Sequence, residues 1–446
     1  MMINEREIAV ETLLYITVNG AYSNIALRRS LALHRSLSRV QKAFVTEIVT
    51  GCVRNLIQLD YVIDKISSTP TTKIEPAVLC ILRISVFQMM HMDKVPIFAI
   101  CNEAVNLTKR LGPARLSGFV NGILRNVHRN LHDLRCIQLD GVSGLSTQFS
   151  CARWIVEHFV EELGFDAARE TLTAFQKTPQ ITLCVNQNRT TKQELTAILL
   201  DEGVEVSDGK LTDSCLTVSK TSDITALPSF QKGLYHVIDE SAVMAIQSAM
   251  PINGRVIDLC AAPGGKTFTV ANFAPTASVL ARDIHSHKLD LITDGVRRLG
   301  LSDVDVCYGD AAKRDEGLIQ TADLVIADVP CSGLGTLAKR PDIKLENRKS
   351  LADIPKLVEL QRQILAASWE YVRPGGKLLY STCTISSAEN TDNRNWLLDN
   401  FPFRPVDFSG QLPDFEGFAS AVDGYIQILP QHYNTDGFFI AVFERV

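Results

Sequence analysis

Cys331 and Cys383 each follow an apolar, strand-like run: Leu-Val-Ile-Ala-Asp-Val-Pro before the first, Lys-Leu-Leu-Tyr-Ser-Thr before the second. A thiolate is a strong nucleophile, and two of them ending consecutive parallel strands would face whatever lies across the sheet. One chemistry needs such a pair: adding an electrophilic carbon to C5 of a cytosine. C5 is a poor nucleophile until a thiolate bonds to C6, which breaks the ring's aromaticity and makes C5 enamine-like. The C5 proton and the C6–S bond must then go, which gives a second thiol a task. The target base has to leave its stack to reach such a pocket. Asp328, just before Cys331, can hydrogen-bond the N3 edge of the ring when protonated, or the exocyclic amine when ionised. Transfer to an amino nitrogen would call for an Asn-Pro-Pro-Tyr-like sequence here and no thiols, whereas the chain has Asp-Val-Pro-Cys.

Upstream, Val256-Ile257-Asp258-Leu259-Cys260-Ala261-Ala262-Pro263-Gly264-Gly265-Lys266-Thr267 reads as strand, tight turn and helix start. Gly264 and Gly265 allow the backbone close to a ligand. Asp283 ends the next strand at a spacing that suits hydrogen bonds to ribose hydroxyls, and Asp310, after the third strand, can border an adenine. Gly265-Lys266-Thr267 resembles the end of a phosphate-binding P-loop, but Cys260 stands where that loop needs Gly. The Gly-x-Gly-x-x-Gly dinucleotide fingerprint is absent as well. A pocket for S-adenosylmethionine, with ribose and adenine contacts and no pyrophosphate cradle, fits best. Asp283-Ile284-His285-Ser286-His287 could pass for a metal cluster, but no further ligands lie at suitable spacing, so no metal is expected.

These residues need elements to position them. From about residue 240, strand-like runs at 255–259, 278–283, 304–308, 324–328 and 377–381 alternate with helix-like stretches, which predicts a doubly wound, Rossmann-like α/β sheet. Residues 438–443 read as a last antiparallel strand paired with 425–429. Residues 3–135 show apolar positions at helical spacing and predict an all-α bundle. A polar stretch around 140–150 reads as irregular, 152–164 as a helix, and 181–237 as a small α+β domain with a helix at 192–202. The expected domains are therefore 1–138, 146–238 and 239–446.

The chain's 446 residues, 46% of them hydrophobic and 21% charged, belong to a globular class with more than one domain. No segment approaches a membrane span and the N-terminus lacks a secretory pattern, so the expectation is cytoplasmic, with no membrane partner. Eleven cysteines with no Cys-x-x-Cys pair argue against a disulfide scaffold. All but the two strand-end thiols read as small buried residues, Cys260 among them. The net charge of −5 hides an asymmetry: residues 1–140 carry 17 Lys and Arg against 11 Asp and Glu, and the rest carries 28 against 39. A cationic front on an acidic body fits an attached nucleic-acid-binding module.

With these motifs in view, the chain resembles the bacterial 16S ribosomal RNA cytosine-C5 methyltransferases of the Sun/Fmu (RsmB) type. The likeness rests on Asp-Leu-Cys-Ala-Ala-Pro-Gly-Gly-Lys-Thr (258–267), Asp-Val-Pro-Cys-Ser-Gly-Leu-Gly-Thr (328–336), Arg340-Pro341-Asp342-Ile343-Lys344, Tyr-Ser-Thr-Cys-Thr (380–384), Glu389-Asn390 and Asp436-Gly437-Phe438-Phe439. It implies S-adenosylmethionine contacts from Cys260, Ala261, Ala262, Pro263, Gly264, Gly265, Lys266, Asp283, Asp310 and Asp328. It also implies Cys383 as the C6 nucleophile and Cys331 as the thiol that assists product release. Residues 1–135 resemble the family's NusB-like, RNA-binding domain through Gly51-Cys52-Val53-Arg54, Asn102-Glu103-Ala104-Val105 and the run from Gly118 to Asn126. Residues 150–238 resemble its small RNA-recognition-like domain.

The resemblance implies methylation of a cytosine in small-subunit ribosomal RNA by a monomer. Transfer RNA or large-subunit RNA as substrate, and a non-catalytic RNA-binding assembly factor, are the competing readings; the thiol pair and complete cofactor loop speak against the last. The chain departs from the family pattern at Ile238 and Leu345, and both are expected at the rim of the pocket.

Overall fold

The computed structural model describes residues 4–136, 139–219, 223–413 and 416–446. The expected domain boundary at 138 lies outside them. By its contacts the chain divides into two units, one made of Met1–Leu172 with Arg340–Leu351, the other of Thr173–Lys339 with Ala352–Val446.

The first unit is helical. Asn4 opens the helix Glu5–Thr17 by accepting the N–H groups of Arg6 and Glu7, and Ser38 and Gln41 form a reciprocal capping box at the start of Arg39–Arg54. The helix Pro76–His91 begins with Glu75 as cap and proline at its first position, and it is buried nearly throughout. Its apolar residues form the centre of a core that includes Ile8, Leu13, Ile48, Leu59 and Leu124. Arg83 borders that core paired two-pronged with the half-buried Asp60, both bonds 2.7 Å, so its buried charge is met by a carboxylate.

Two expectations change here. The stretch around 140–150 is not irregular: it contains the helix Gly141–Gln148, with Leu145 and Ser146 buried. Its polar composition hides a helix whose glycine has a packing reason, since a Cβ on Gly144 would stand 1.8 Å from the Leu139 carbonyl oxygen. Leu345 is no rim residue either: it is 3% exposed and belongs to the bundle core. The surrounding segment is bonded into the same unit. The Asp342 carboxylate accepts the N–H (2.9 Å) and hydroxyl (2.6 Å) of Ser23 at the start of the helix Ser23–Leu33. Lys344 donates to the Arg54 carbonyl (3.1 Å), and Arg348 donates to the carbonyls of Ile16 (3.1 Å), Ala21 (2.6 Å) and Gly20.

The second unit holds two sheets. The smaller is antiparallel: β1 (Ile181–Val185), β2 (Glu205–Asp208), β3 (Cys215–Ser219) and β4 (Tyr235–Val237), in the order β2-β3-β1-β4. The helix Lys192–Asp201, capped by Thr191 and Glu194, supplies Leu195 and Leu199 to its core.

The larger sheet comprises β5 (Arg255–Asp258), β6 (Ser278–Asp283), β7 (Val304–Tyr308), β8 (Ala322–Asp328), β9 (Val372–Thr382), β10 (Phe403–Pro405), β11 (Tyr425–Ile428) and β12 (Phe438–Arg445). The order is β10-β12-β9-β8-β5-β6-β7, with β11 also paired to β12. Strands β5 to β9 run parallel and their centres are apolar, as strands covered on both faces require. No α-helix follows β7, where one was expected. That connection carries a short 3₁₀ turn, Glu316–Leu318, capped by Asp315, whose N–H is bonded to the Tyr371 hydroxyl at 2.7 Å. Strand order reverses between β5 and β8, so Asp258 and Asp328 end neighbouring strands at the switch point where such sheets bind ligands.

Candidate active site

The loop after β5 is tied to both neighbouring strands: the Leu259 N–H donates to the Ile326 carbonyl (3.0 Å) and the Ala261 N–H to the Arg282 carbonyl (2.8 Å). Gly264 then turns the chain with φ +110°, and a Cβ there would meet the Phe268 ring at 2.3 Å. The helix Gly265–Phe273 starts at once, and His236 from β4 braces it through Thr269 (3.0 Å). Burial and Arg298 hold that imidazole neutral, with its pKa pushed down to about 3.

Acidic side chains gather around this loop. Asp283 accepts the Ala262 N–H (3.1 Å) through one oxygen and the His285 N–H (2.8 Å) through the other. Asp310 accepts the Ala312 N–H at 3.1 Å. Asp328 pairs with Lys266 (2.7 Å) and accepts the Ser381 hydroxyl (2.8 Å). The Cys260 thiol is pushed up first by burial and then by the carboxylates of Asp258, Asp328, Asp283 and Asp310, so all four act on one place. Asp258 itself is pushed up to about 7 by burial, against the hydrogen bond from Thr267 (2.7 Å). Its other oxygen is buried without a partner.

These features fit a cationic nucleoside ligand such as S-adenosylmethionine. Buried acceptors concentrate negative charge, one carboxylate oxygen is unsatisfied, and the glycine cradle would be filled by any Cβ. Asp283 and Asp310 offer acceptors for hydroxyls and ring edges. No group of three or more His, Cys, Asp or Glu among the described residues is arranged to hold a metal ion; His285 and His287 instead pack edge to face, with His285 held on Asp283.

The two cysteines come together. β8 and β9 are adjacent and parallel, with Asp328 opposite Ser381, and Cys331 Sγ lies 3.3 Å from Cys383 Sγ. The Cys331 thiol is pushed well up, chiefly by the hydrogen bond it shares with Cys383. The segments carrying them are bound to each other twice more, by the Ser332 and Thr384 hydroxyls (2.7 Å) and by the Gly335 N–H on the Cys383 carbonyl (3.0 Å). Lys266, from the loop after β5, places its ammonium on Asp328 at the end of β8 and 5.0 Å from the centre of the Phe438 ring. A cavity of about 410 Å³ opens nearby, bounded in part by Ile238, Asp239, Lys339 and Asp436. Lys339 joins the Asp239 and Asp436 carboxylates across it, and Ile238 reaches the cavity while packing on Gly265.

Sequence reasoning missed the support beneath the thiols, namely Ser332, Thr384, Gln361 and the side-chain role of Glu389. Their signal was faint, since Ser and Thr after a strand are common turn residues. Only the fold shows that positions 332 and 384 face each other.

Comparison with known proteins gives the family. Residues 247–444 match the family described as 16S rRNA methyltransferase RsmB/F, residues 3–129 the NusB family, and residues 151–225 the ferredoxin-like domain of RsmF/B-like methyltransferases. The chain is 35% identical to the probable ribosomal RNA small subunit methyltransferase B of Bacillus subtilis over 99% of this chain and 98% of that one. It is 34% identical to the Synechocystis protein of the same description, over the whole of both. Among solved structures, PH0851 superposes with a TM-score of 0.80 at 25% identity over all of both chains. NSun6 from Pyrococcus horikoshii with SFG, 19% identical, superposes with a TM-score of 0.58 over 66% of this chain and 98% of its own, and shows the fold alone.

Proposed function

The chain belongs to the RsmB/F family of S-adenosylmethionine-dependent RNA methyltransferases, and we propose that it methylates C5 of a cytosine in 16S ribosomal RNA through a thioether to C6. The observation that carries this reading is the 3.3 Å approach of two thiols at the ends of adjacent parallel strands, beside a cluster of cofactor-loop carboxylates.

When bound, S-adenosylmethionine supplies an electrophilic methyl carbon. The residues proposed to hold it are the loop from Cys260 to Lys266, with Asp283, Asp310 and Asp328. Cys383 acts as the nucleophile: its thiolate forms the S–C6 bond and the C5=C6 π electrons move to C5, where they would form the bond to the donor's methyl carbon while the pair of the broken S–CH3 bond stays on the donor's sulfur. Cys331 keeps its proton and donates a hydrogen bond to that thiolate, in keeping with the direction in which its own pKa moves. In release, a base takes the C5 proton, the C5–H electrons re-form C5=C6, and the C6–S pair returns to Cys383. Cys331 assists this step. Asp328, steadied by Lys266 and Ser381, presents an acceptor to the polar edge of the base. We also propose three domains, at 1–138, 146–238 and 239–446, in a monomeric cytoplasmic enzyme; no helix among the described residues is long and apolar enough to cross a membrane.

The test is methyl-labelled S-adenosylmethionine with unmodified 16S RNA, in parallel with large-subunit RNA and transfer RNA, followed by digestion to nucleosides. Label in 5-methylcytidine from 16S RNA is expected. Label in transfer RNA alone would discard the substrate and keep the chemistry. On denaturing gels Cys331→Ala should accumulate a covalent protein–RNA adduct and Cys383→Ala should not; the opposite pattern exchanges their roles.

A further inference from the structure

We propose that Glu389 is a positioning residue for the release thiol, holding the Pro330–Ser332 turn against the strand end that carries Cys383. This rests on the assignment of Cys331 to release made above.

Glu389 is fully buried in the 3₁₀ turn that follows Cys383. One of its oxygens accepts the Ser332 N–H at 2.8 Å and the Gln361 side-chain amide at 2.9 Å. The same Gln361 nitrogen donates to the Pro330 carbonyl at 3.0 Å. The backbone groups on either side of Cys331 are thus both fixed by one carboxylate–amide pair. That pair is itself held in place: Asn393 donates to the Gln361 oxygen (2.7 Å), and the Tyr380 hydroxyl donates to the Glu389 carbonyl (2.6 Å). Tyr380 lies on β9, the strand that delivers Cys383. The second Glu389 oxygen is buried with no hydrogen-bond partner, and no ion pair reaches the residue among the described residues. A buried carboxylate left half satisfied is unfavourable for folding, so its presence under a reactive turn points to a task at that turn.

Removing the side chain releases the Ser332 N–H and loosens Gln361 beneath the Pro330 carbonyl, so Cys331 gains freedom that Cys383, directly after the paired residues Ser381 and Thr382 of β9, does not. Attack should therefore survive better than release, an imbalance that general destabilisation would not produce. The experiment compares wild type, Cys331→Ala, Glu389→Ala and Glu389→Gln as full-length proteins. Its readouts are covalent adduct with 16S RNA on denaturing gels, kcat, KM for S-adenosylmethionine and a thermal melt.

Glu389→Ala should accumulate adduct about tenfold over wild type, with kcat down by a similar factor and KM within about twofold. Glu389→Gln, whose amide oxygen accepts the same two N–H groups, should return within about threefold of wild type. Adduct in Cys331→Ala but not in a folded Glu389→Ala overturns this inference alone. So does a Glu389→Gln as impaired as the alanine variant. No adduct in Cys331→Ala overturns the release-thiol reading and this inference with it. Should Glu389→Ala not fold, Gln361→Leu, which loses the bond to Pro330, must show adduct at about threefold or the inference fails.

Discussion

At Gly335 there is no room for a side chain. A Cβ would stand 1.8 Å from the Gly437 carbonyl oxygen and 2.9 Å from the Cys383 carbonyl oxygen, both backbone atoms that cannot swing aside. The Gly437 N–H donates to the Gly335 carbonyl (2.8 Å) and the Gly335 N–H to the Cys383 carbonyl (3.0 Å), so the turn after Cys331, the end of β9 and the start of β12 are packed backbone to backbone. Gly335→Ala should move the Cys383 strand end by enough to lower single-turnover methylation about 100-fold, because a misplacement near 1 Å has that effect on an attacking group. Affinity for S-adenosylmethionine, measured by calorimetry, should stay within about twofold, since of the residues proposed to hold it only Asp328 ends a strand next to the displaced turn, and Lys266 and Ser381 keep it in place. The thiols, which the fold brings to 3.3 Å, and the loop glycines could be singled out from the chain alone because their residue types suggest a chemistry. The roles of Gly335, Gln361 and Glu389 could not, although two of the three lie in the quoted motifs, because their value lies in which backbone they touch.

Among the elements, strands were the most legible. β6 and β7 fall where alternation placed them, and β8 and β9 extend the expected runs by a few residues. Continuous Val, Ile and Leu runs between turn residues leave few alternatives. Gly141–Gln148 was obscured because small and polar residues give a helix little amphipathic signal. Arg340–Leu351 was read by its motif as part of the catalytic half, yet by contacts it groups with the helical unit. Lys344 gives this segment a measurable signature. It is buried and its pKa is pushed down to about 8, first by burial, with Cys151 opposing and Arg54 adding to the effect. The folded chain therefore binds fewer protons here than the unfolded chain between about pH 8 and the ordinary lysine range, and stability from this group rises with pH across that window. The buried Cys151 thiol, pushed up to about 12, acts in the opposite sense above pH 9. Between pH 8 and 9 the urea midpoint of wild type should rise relative to Lys344→Met. Parallel midpoints would show that Lys344 keeps its proton in the folded chain across this window, as an ordinary lysine does.

On the scale of the whole molecule, charge and chemistry are divided along the chain. Residues 1–140 carry an excess of cations, and the remainder, with the carboxylates of the cofactor loop, an excess of anions. An acidic catalytic half repels a polyanion, so the affinity for RNA has to come largely from the cationic helices. Lys109, Arg125 and Arg129 are exposed on the helices Ile97–Leu111 and Ser117–Arg129. Each phosphate neutralised on single-stranded RNA contributes about 0.7 to the slope of log affinity against log salt. Replacing all three with glutamate should weaken RNA binding uniformly across sequences and reduce that slope by about 2. Affinity for S-adenosylmethionine should not change, and kcat at saturating RNA should remain within about twofold, because these residues act before the base reaches the thiols. An unchanged slope would move the RNA-binding surface away from these helices.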